Sequence, residues 1–156
     1  MRIKDKRALI DMTALKNICT EILQKGIDRY SRPMLLGIVS RIENNDYEIF
    51  SVLSHLNVIK EDEIYRLDGV YCRDVFKTKE TIAITEIDNI PGMKLHPLYD
   101  GFPIEVYISS PIIVDSQVWG TINYSSIEIS ETPFSEEDIQ FNESCADEIA
   151  SVISKL

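Results

Sequence analysis

"YISSPIIVDSQVWGTINYSS" (residues 107–126) is the stretch on which the fold turns. With Glu105 and Val106 in front, it reads as a β-hairpin, 105–114 and 117–126. Asp115-Ser116 sits at the turn, where short polar side chains tolerate left-handed backbone. Val118, Trp119, Ile122 and Tyr124 indicate a buried strand. Yet Ser109, Ser110 and Pro111 interrupt the first arm, and Gly120, Thr121, Asn123, Ser125 and Ser126 the second. Such residues either bond to neighbouring backbone or face a cavity, where an apolar lining carries a few placed polar groups. Tyr107, Ser109, Thr121, Asn123 and Ser125 form the palette of the second reading. The facing is open. A two-residue turn pairing Val114 with Gln117 puts Ser110, Thr121 and Asn123 on one face, and Tyr107 and Ser109 on the other. A bulge at Pro111, which cannot donate to the ladder, changes that assignment. Gly120 is expected to let a helix approach the sheet closely.

Working outward, a second hairpin comes earlier. "MLLGIVSRI" (34–42) and "YEIFSVLS" (47–54) are strands, joined by a turn at "ENND". Before it, residues 5–25 read as a helix. Leu9, Met12, Leu15, Ile18, Cys19, Ile22 and Leu23 share one face, and Gly26 stands as the expected stop. After the late hairpin, Ser135 with Asp138 forms a capping box. The helix it opens has a buried stripe of Ile139, Asn142, Cys145, Ala146, Ile149, Val152, Ile153 and Leu156, and is expected to run to the last residue. Between the hairpins, 57–69 reads as irregular, 69–78 as a short helix and 81–85 as a short strand. Residues 86–104 read as a loop with a brief helix around Pro97 to Asp100. The expected fold is α+β, an α/β sandwich. A central antiparallel sheet has the terminal helices on one face, and the middle segment covers a cavity on the other. Tyr71 and Cys72, at the start of the short helix, are placed at that cavity with the hairpin residues.

The chain has 156 residues, 44% of them hydrophobic and 27% charged, which suits one domain over 1–156. Its 26 acidic and 16 basic residues give a formal charge of -10, which disfavours nucleic acid and anionic membrane as partners. No apolar run is long enough to span a bilayer, and no signal-peptide core opens the chain. Three widely spaced cysteines (Cys19, Cys72, Cys145) argue against a disulfide framework or a zinc site. They fit a reducing cytoplasm.

Three strings carry a resemblance: "LDGVYCRDVFKTKETIAITEI" (67–87), "HPLYDGFPIEVYISSPIIVDSQVWGTINYSS" (96–126) and "PFSEEDIQFNESCADEIASVIS" (133–154). Together they make the chain similar to GAF domains of bacterial signalling proteins, over nearly its whole length. The resemblance implies a ligand cavity under the middle segment. It also implies terminal helices that dimerise and pass a signal onward, with an output domain possible beyond Leu156.

The classes within that family differ in their chemistry. Bilin-binding relatives carry a Cys-His pair where this chain has Lys94 and Leu95, so covalent attachment there is not expected. His96 reads as a loop surface residue. The Asn-Lys…Phe…Asp-Glu pattern of cyclic-nucleotide-binding relatives is missing, and neither histidine belongs to a metal-ligating group. The free methionine-R-sulfoxide reductase class needs a cavity thiol and a second, resolving thiol. Cys72 is the only candidate for the first, while Cys19 and Cys145 read as core residues of the terminal helices. No Ser-His-Asp arrangement and no glycine-rich phosphate loop is legible. The sequence therefore leads to a non-enzymatic sensor of an unidentified small molecule, with no catalytic or metal-binding residues and no cofactor that the sequence identifies. Its ligand-binding residues are expected to be Tyr71, Cys72, Tyr107, Ser109, Thr121, Asn123 and Ser125. The alternatives are a ligand-free dimerisation or spacer module and, behind it, the reductase-like enzyme.

Overall fold

A computed structural model describes residues 3–30, 34–54, 59–67, 72–85, 104–127 and 132–156, with the side chains of the first helix described from Asp11 onward. Tyr71, the Lys94-Leu95-His96 stretch and the brief helix expected around Pro97 lie outside the described residues. So does the side chain of Leu9.

The chain runs α1 (Ile3–Arg29), β1 (Leu36–Glu43), β2 (Asp46–Ser54), β3 (Ile64–Arg66), α2 (Arg73–Thr78), β4 (Ile82–Ile84), β5 (Val106–Val114), β6 (Gln117–Ser126) and α3 (Glu136–Ser154). The strands form one six-stranded sheet in the order β3-β2-β1-β6-β5-β4, and every neighbouring pair is antiparallel. Both hairpins close as expected. Asn44 and Asn45 (φ 53° and 64°) and Asp115 and Ser116 (φ 53° and 66°) occupy left-handed backbone, as a two-residue turn matched to strand twist requires. The capping box at Ser135 is present. The Ser135 hydroxyl accepts from Asp138 N at 3.1 Å, and Ser135 N donates to the Asp138 carboxylate at 2.9 Å.

The two terminal helices lie on one face of the sheet. Leu15, Cys19, Ile22 and Leu23 of α1 and Cys145, Ala146 and Ile149 of α3 pack on Val39, Ile108, Ile112, Ile122 and Tyr124. Asn142 enters this core with its hydrogen bonds met: it donates to Ser110 Oγ at 2.8 Å and accepts from Tyr30 OH at 3.2 Å. On the opposite face a second core gathers Leu36, Ile38, Tyr47, Ile49, Cys72 and Tyr107.

Five expectations need correction. The first concerns register. Pairing slips between Ile112 (opposite Gly120) and Ile113 (opposite Val118), so Trp119 is an extra residue in β6. The bulge lies beyond Pro111, not at it. Past the bulge, Tyr107, Ser109 and Pro111 face the same way as Ser125, Asn123 and Thr121, their partners across the ladder. Ser110 is left on the helical face. Phe50 is a matching extra residue in β2, since Val39 pairs with Ser51 and Ser40 with Ile49. The Phe50 and Trp119 rings meet edge to face at 5.3 Å.

The second correction concerns Gly120. A Cβ there would lie 1.8 Å from the carbonyl oxygen of Ser40. The glycine therefore admits the backbone of the neighbouring strand β1, not a helix. Third, Gly26 does not end α1, which continues to Arg29. Its missing side chain makes room for Tyr124, whose hydroxyl would lie 2.0 Å from an added Cβ. That hydroxyl donates to the carbonyls of Ile22 and Leu23 at 3.3 and 3.2 Å. Fourth, the polar segment before α2 holds a strand. β3 pairs its three residues with the start of β2, as in Tyr65 opposite Tyr47. Fifth, α3 does not run to the last residue: it stops at Ser154, and Leu156, expected in its buried stripe, is 60% exposed.

The glycine geometry gives a test with an unusual sign. Gly→Ala inside a helix ordinarily stabilises by about 1 kcal/mol. Here Gly26→Ala drives a methyl group into the Tyr124 ring and is expected to destabilise by ~1–3 kcal/mol, the usual range for overpacking. Gly120→Ala meets backbone instead of a side chain and should lose more. Urea denaturation of the two variants beside the wild type measures both.

Candidate functional site

The site lies on the sheet face opposite the terminal helices. Strands β5 and β6 supply Tyr107, Ser109, Thr121, Asn123 and Ser125, which share a face because of the Trp119 bulge. Ser40 on β1 faces Thr121, with 2.7 Å between their hydroxyl oxygens. Tyr47 enters from the start of β2. Cys72, immediately before α2, lowers its side chain onto this group and is 2% exposed.

The thiol is the centre of the arrangement. Its sulfur lies 2.7 Å from Tyr107 OH, 3.3 Å from Asn123 Nδ2, 3.4 Å from both Tyr47 OH and Thr121 Oγ1, and 3.7 Å from Ser109 Oγ. A thiol has one hydrogen to give. With that hydrogen directed to Tyr47, the sulfur accepts from Tyr107, Asn123 and Thr121. The Asn123 amide also donates to Tyr47 OH at 3.1 Å. Burial pushes the phenols of Tyr47 and Tyr107 well above their ordinary pKa, and the adjacent Cys72 pushes further in the same direction. Both remain protonated and able to donate.

Beside the sulfur is a cavity of about 30 Å³, lined by Leu36, Ile38, Ile49, Ile59, Tyr65 and Ile104 together with Tyr47, Cys72, Tyr107, Asn123 and Ser125. One water needs roughly 10–15 Å³ on this measure, so the space suits about two. Ser125 faces the cavity at 1% exposure, and its hydroxyl has no hydrogen-bond partner among the described residues. A buried, unmet polar group of this kind costs ~1–3 kcal/mol. Of the larger clefts among the described residues, two, of about 280 and 450 Å³, open beside α2 and at the hairpin tips, the first lined by Arg66, Arg73 and Lys77 among others and the second by Arg41, Glu43 and Asp115 among others. Neither contains the thiol cluster. Among the described residues, no group of three or more His, Cys, Asp or Glu side chains is placed to hold a metal ion.

Of the residues expected at the cavity, Cys72, Tyr107, Asn123 and Ser125 line it. Ser109 and Thr121 reach the sulfur from the sheet without lining the cavity. Tyr71 is outside the described residues. Cys19 and Cys145 are buried in the helical core on the other side of the sheet, where burial pushes their thiols up to about 12 and about 11. Sequence reasoning missed Tyr47 and Ser40. The period-two alternation of β1 and β2 offered a signal, since Ser40 follows Leu36 and Ile38 on one face and Tyr47 precedes Ile49.

The chain matches the GAF domain family model over residues 15–153. Its fold is similar to that of the blue-light-absorbing PixJ GAF domain of Thermosynechococcus elongatus (TM-score 0.75, 16% identity, 93% of this chain and 88% of that one). It is also similar to a type II free methionine-R-sulfoxide reductase from Thermoplasma acidophilum (TM-score 0.74, 14% identity, 93% and 96%). A GAF domain/HD domain protein from Geobacter sulfurreducens superposes comparably (TM-score 0.72, 13% identity, 92% and 94%). At these identities the likeness is one of fold. No curated protein sequence matches the chain. The chain belongs to the GAF domain family, whose members commonly serve as signalling and sensor domains. Among the described residues, no helix is long and apolar enough to cross a membrane.

Ser125 offers a direct check on the cavity. With the cavity empty, Ser125→Ala removes the unmet hydroxyl and should stabilise the protein by ~1–2 kcal/mol. That corresponds to a melting point higher by ~2–4 °C per kcal/mol for a domain of this size. Differential scanning calorimetry of the two proteins measures it.

Proposed function

We propose that this GAF domain is a cytoplasmic sensor of a small, uncharged molecule in bacterial signal transduction. The ligand would be held between the sheet and the middle segment, without catalytic turnover. The observation that carries this reading is the Ser125 hydroxyl, buried and unmet among the described residues, beside a cavity that otherwise presents apolar side chains, three phenols, an amide and a thiol. A ligand with one hydrogen-bonding group and a small apolar body would satisfy Ser125 and fill the space. Among the described residues no cationic side chain lines the cavity, so there an anion would meet no counter-charge. The non-enzymatic part of the reading is supported by the placement of Cys19 and Cys145 across the sheet, away from Cys72. A resolving thiol would need to be on the same side.

A second reading, the ligand-free spacer, is favoured by the small size of the cavity, about 30 Å³. One experiment separates the two. Thermal shifts are recorded with a panel of small neutral alcohols, amides and ketones at rising concentration, for the wild type and Asn123→Leu. Under the sensor reading at least one probe raises the wild-type melting point in a concentration-dependent way, and Asn123→Leu loses most of that shift while remaining folded. A flat response across the panel favours the spacer.

The output would pass through α1 and α3 in a homodimer. Leu156 is 60% exposed, and Val152 and Ile153 are half-buried at the same end of α3. A second copy would cover this apolar end, at ~25 cal/mol per Å² removed from water. Sedimentation equilibrium at micromolar concentration should give the dimer mass, shifted toward monomer by Ile153→Glu. A wild type that stays monomeric refutes the dimer.

A further inference from the structure

We infer that Cys72 is a peroxide-reactive thiol, and that the cavity beside it admits hydrogen peroxide for oxidation of the sulfur to a sulfenic acid. The inference rests on the cavity being open to small neutral molecules, as in the reading above, but it assigns a chemistry that noncovalent binding does not require.

Three observations combine. The first is size. About 30 Å³ beside the sulfur suits two water-sized groups, and hydrogen peroxide has two oxygens and no charge. The second is the unmet Ser125 hydroxyl at the same cavity. It offers a hydrogen bond to a peroxide oxygen, and afterwards to the oxygen added to sulfur. The third is the polar surround of the thiol. Tyr107 at 2.7 Å, Asn123 at 3.3 Å and Thr121 at 3.4 Å are placed to donate to sulfur. These bonds strengthen as negative charge develops on sulfur. Tyr47 OH, 3.4 Å away, is the acceptor for the departing thiol proton.

The step balances without another reactant. Sulfur attacks one peroxide oxygen, an S–O bond forms and the O–O bond breaks. The leaving hydroxide takes up a proton, by way of Tyr47, equivalent to the one the thiol gives up. Cys–SH and H₂O₂ become Cys–SOH and H₂O. Sulfur loses two electrons and the peroxide gains them. No second thiol is present on this side of the sheet among the described residues, so the sulfenic acid would persist as a signal instead of closing to a disulfide.

Cys19 and Cys145 are internal controls. They are equally buried, but they lie in apolar packing where burial raises their pKa. The intact wild-type chain is treated with hydrogen peroxide, and peptide mass mapping follows oxygen gain at each cysteine with time. A parallel sample receives tert-butyl hydroperoxide, which is too bulky for the cavity. Cys72 should gain one oxygen at least ~10-fold faster than either other cysteine, because a cavity adjoins its sulfur and access governs thiol oxidation. The bulky peroxide should leave it untouched. Asn123→Ala, confirmed as folded by its melting curve, should slow the reaction at Cys72 several-fold. Equal rates at all three cysteines overturn the inference, as does a Cys72 that stays reduced while the others oxidise, or one oxidised equally by both peroxides. If the neutral-probe thermal shifts succeed while Cys72 resists oxidation, only the redox inference fails. If Cys72 oxidises while every probe leaves the melting point flat, the noncovalent sensor reading fails instead.

Discussion

One residue too many in β6 decides what this domain can hold. A side chain on a strand faces one side or the other with period two, so a slip of one residue exchanges the faces. The Trp119 bulge makes that exchange within a single hairpin. It places the hydroxyls and amide of β6 on the same side as Tyr107 and Ser109. It sends Ile108, Ile112, Ile122 and Tyr124 to the helices. Without it, each core would receive part of the other's residues. The surrounding structure accommodates the bulge. Phe50 bulges from β2 and meets the Trp119 ring, and Gly120 lets the Ser40 carbonyl approach where a side chain would obstruct it.

The two faces then handle polar groups differently. On the helical face every polar insertion noted has a partner, as in the Asn142 bridge from Tyr30 to Ser110. Tyr124 likewise spends its hydroxyl on α1 carbonyls. That face is built for rigidity. On the other face the polar groups converge on one sulfur, and Ser125 remains unmet. A buried polar network with one unsatisfied member is expensive for stability alone, which is why the sensor proposal is placed there.

Much of the fold was legible because it rests on local chemistry. Asn44-Asn45 and Asp115-Ser116 announced their turns, Ser135 and Asp138 their cap, and the apolar spacing of α3 its buried stripe. The misses share a different cause: each depends on something distant in sequence. Gly26 looks like a helix stop until Tyr124, from the far end of the chain, occupies the space above it. β3 is a three-residue edge strand, Ile64 to Arg66, within a mostly polar segment, extended only because β2 offers a ladder. The face of Asn123 could not be settled because a bulge is one residue long and no composition marks it. Among the site residues, the palette of Tyr107, Ser109, Thr121, Asn123 and Ser125 could be read from the hairpin. Tyr47 and Ser40 carried only the period-two signal of β1 and β2, which assigns a face but not the site until those strands are paired beside the hairpin.

The thiol cluster exists only if Asn123 faces Cys72 and not α3. Nuclear Overhauser contacts from the Asn123 side-chain amide protons test this directly, since they report neighbours only a few ångströms away. The structure requires contacts to the β-protons of Cys72 and the ring of Tyr47, with none to Asn142 or Cys145. Contacts to α3 in place of Cys72 would mean that the bulge is absent and the faces are reversed, contradicting both the site and the functions proposed for it.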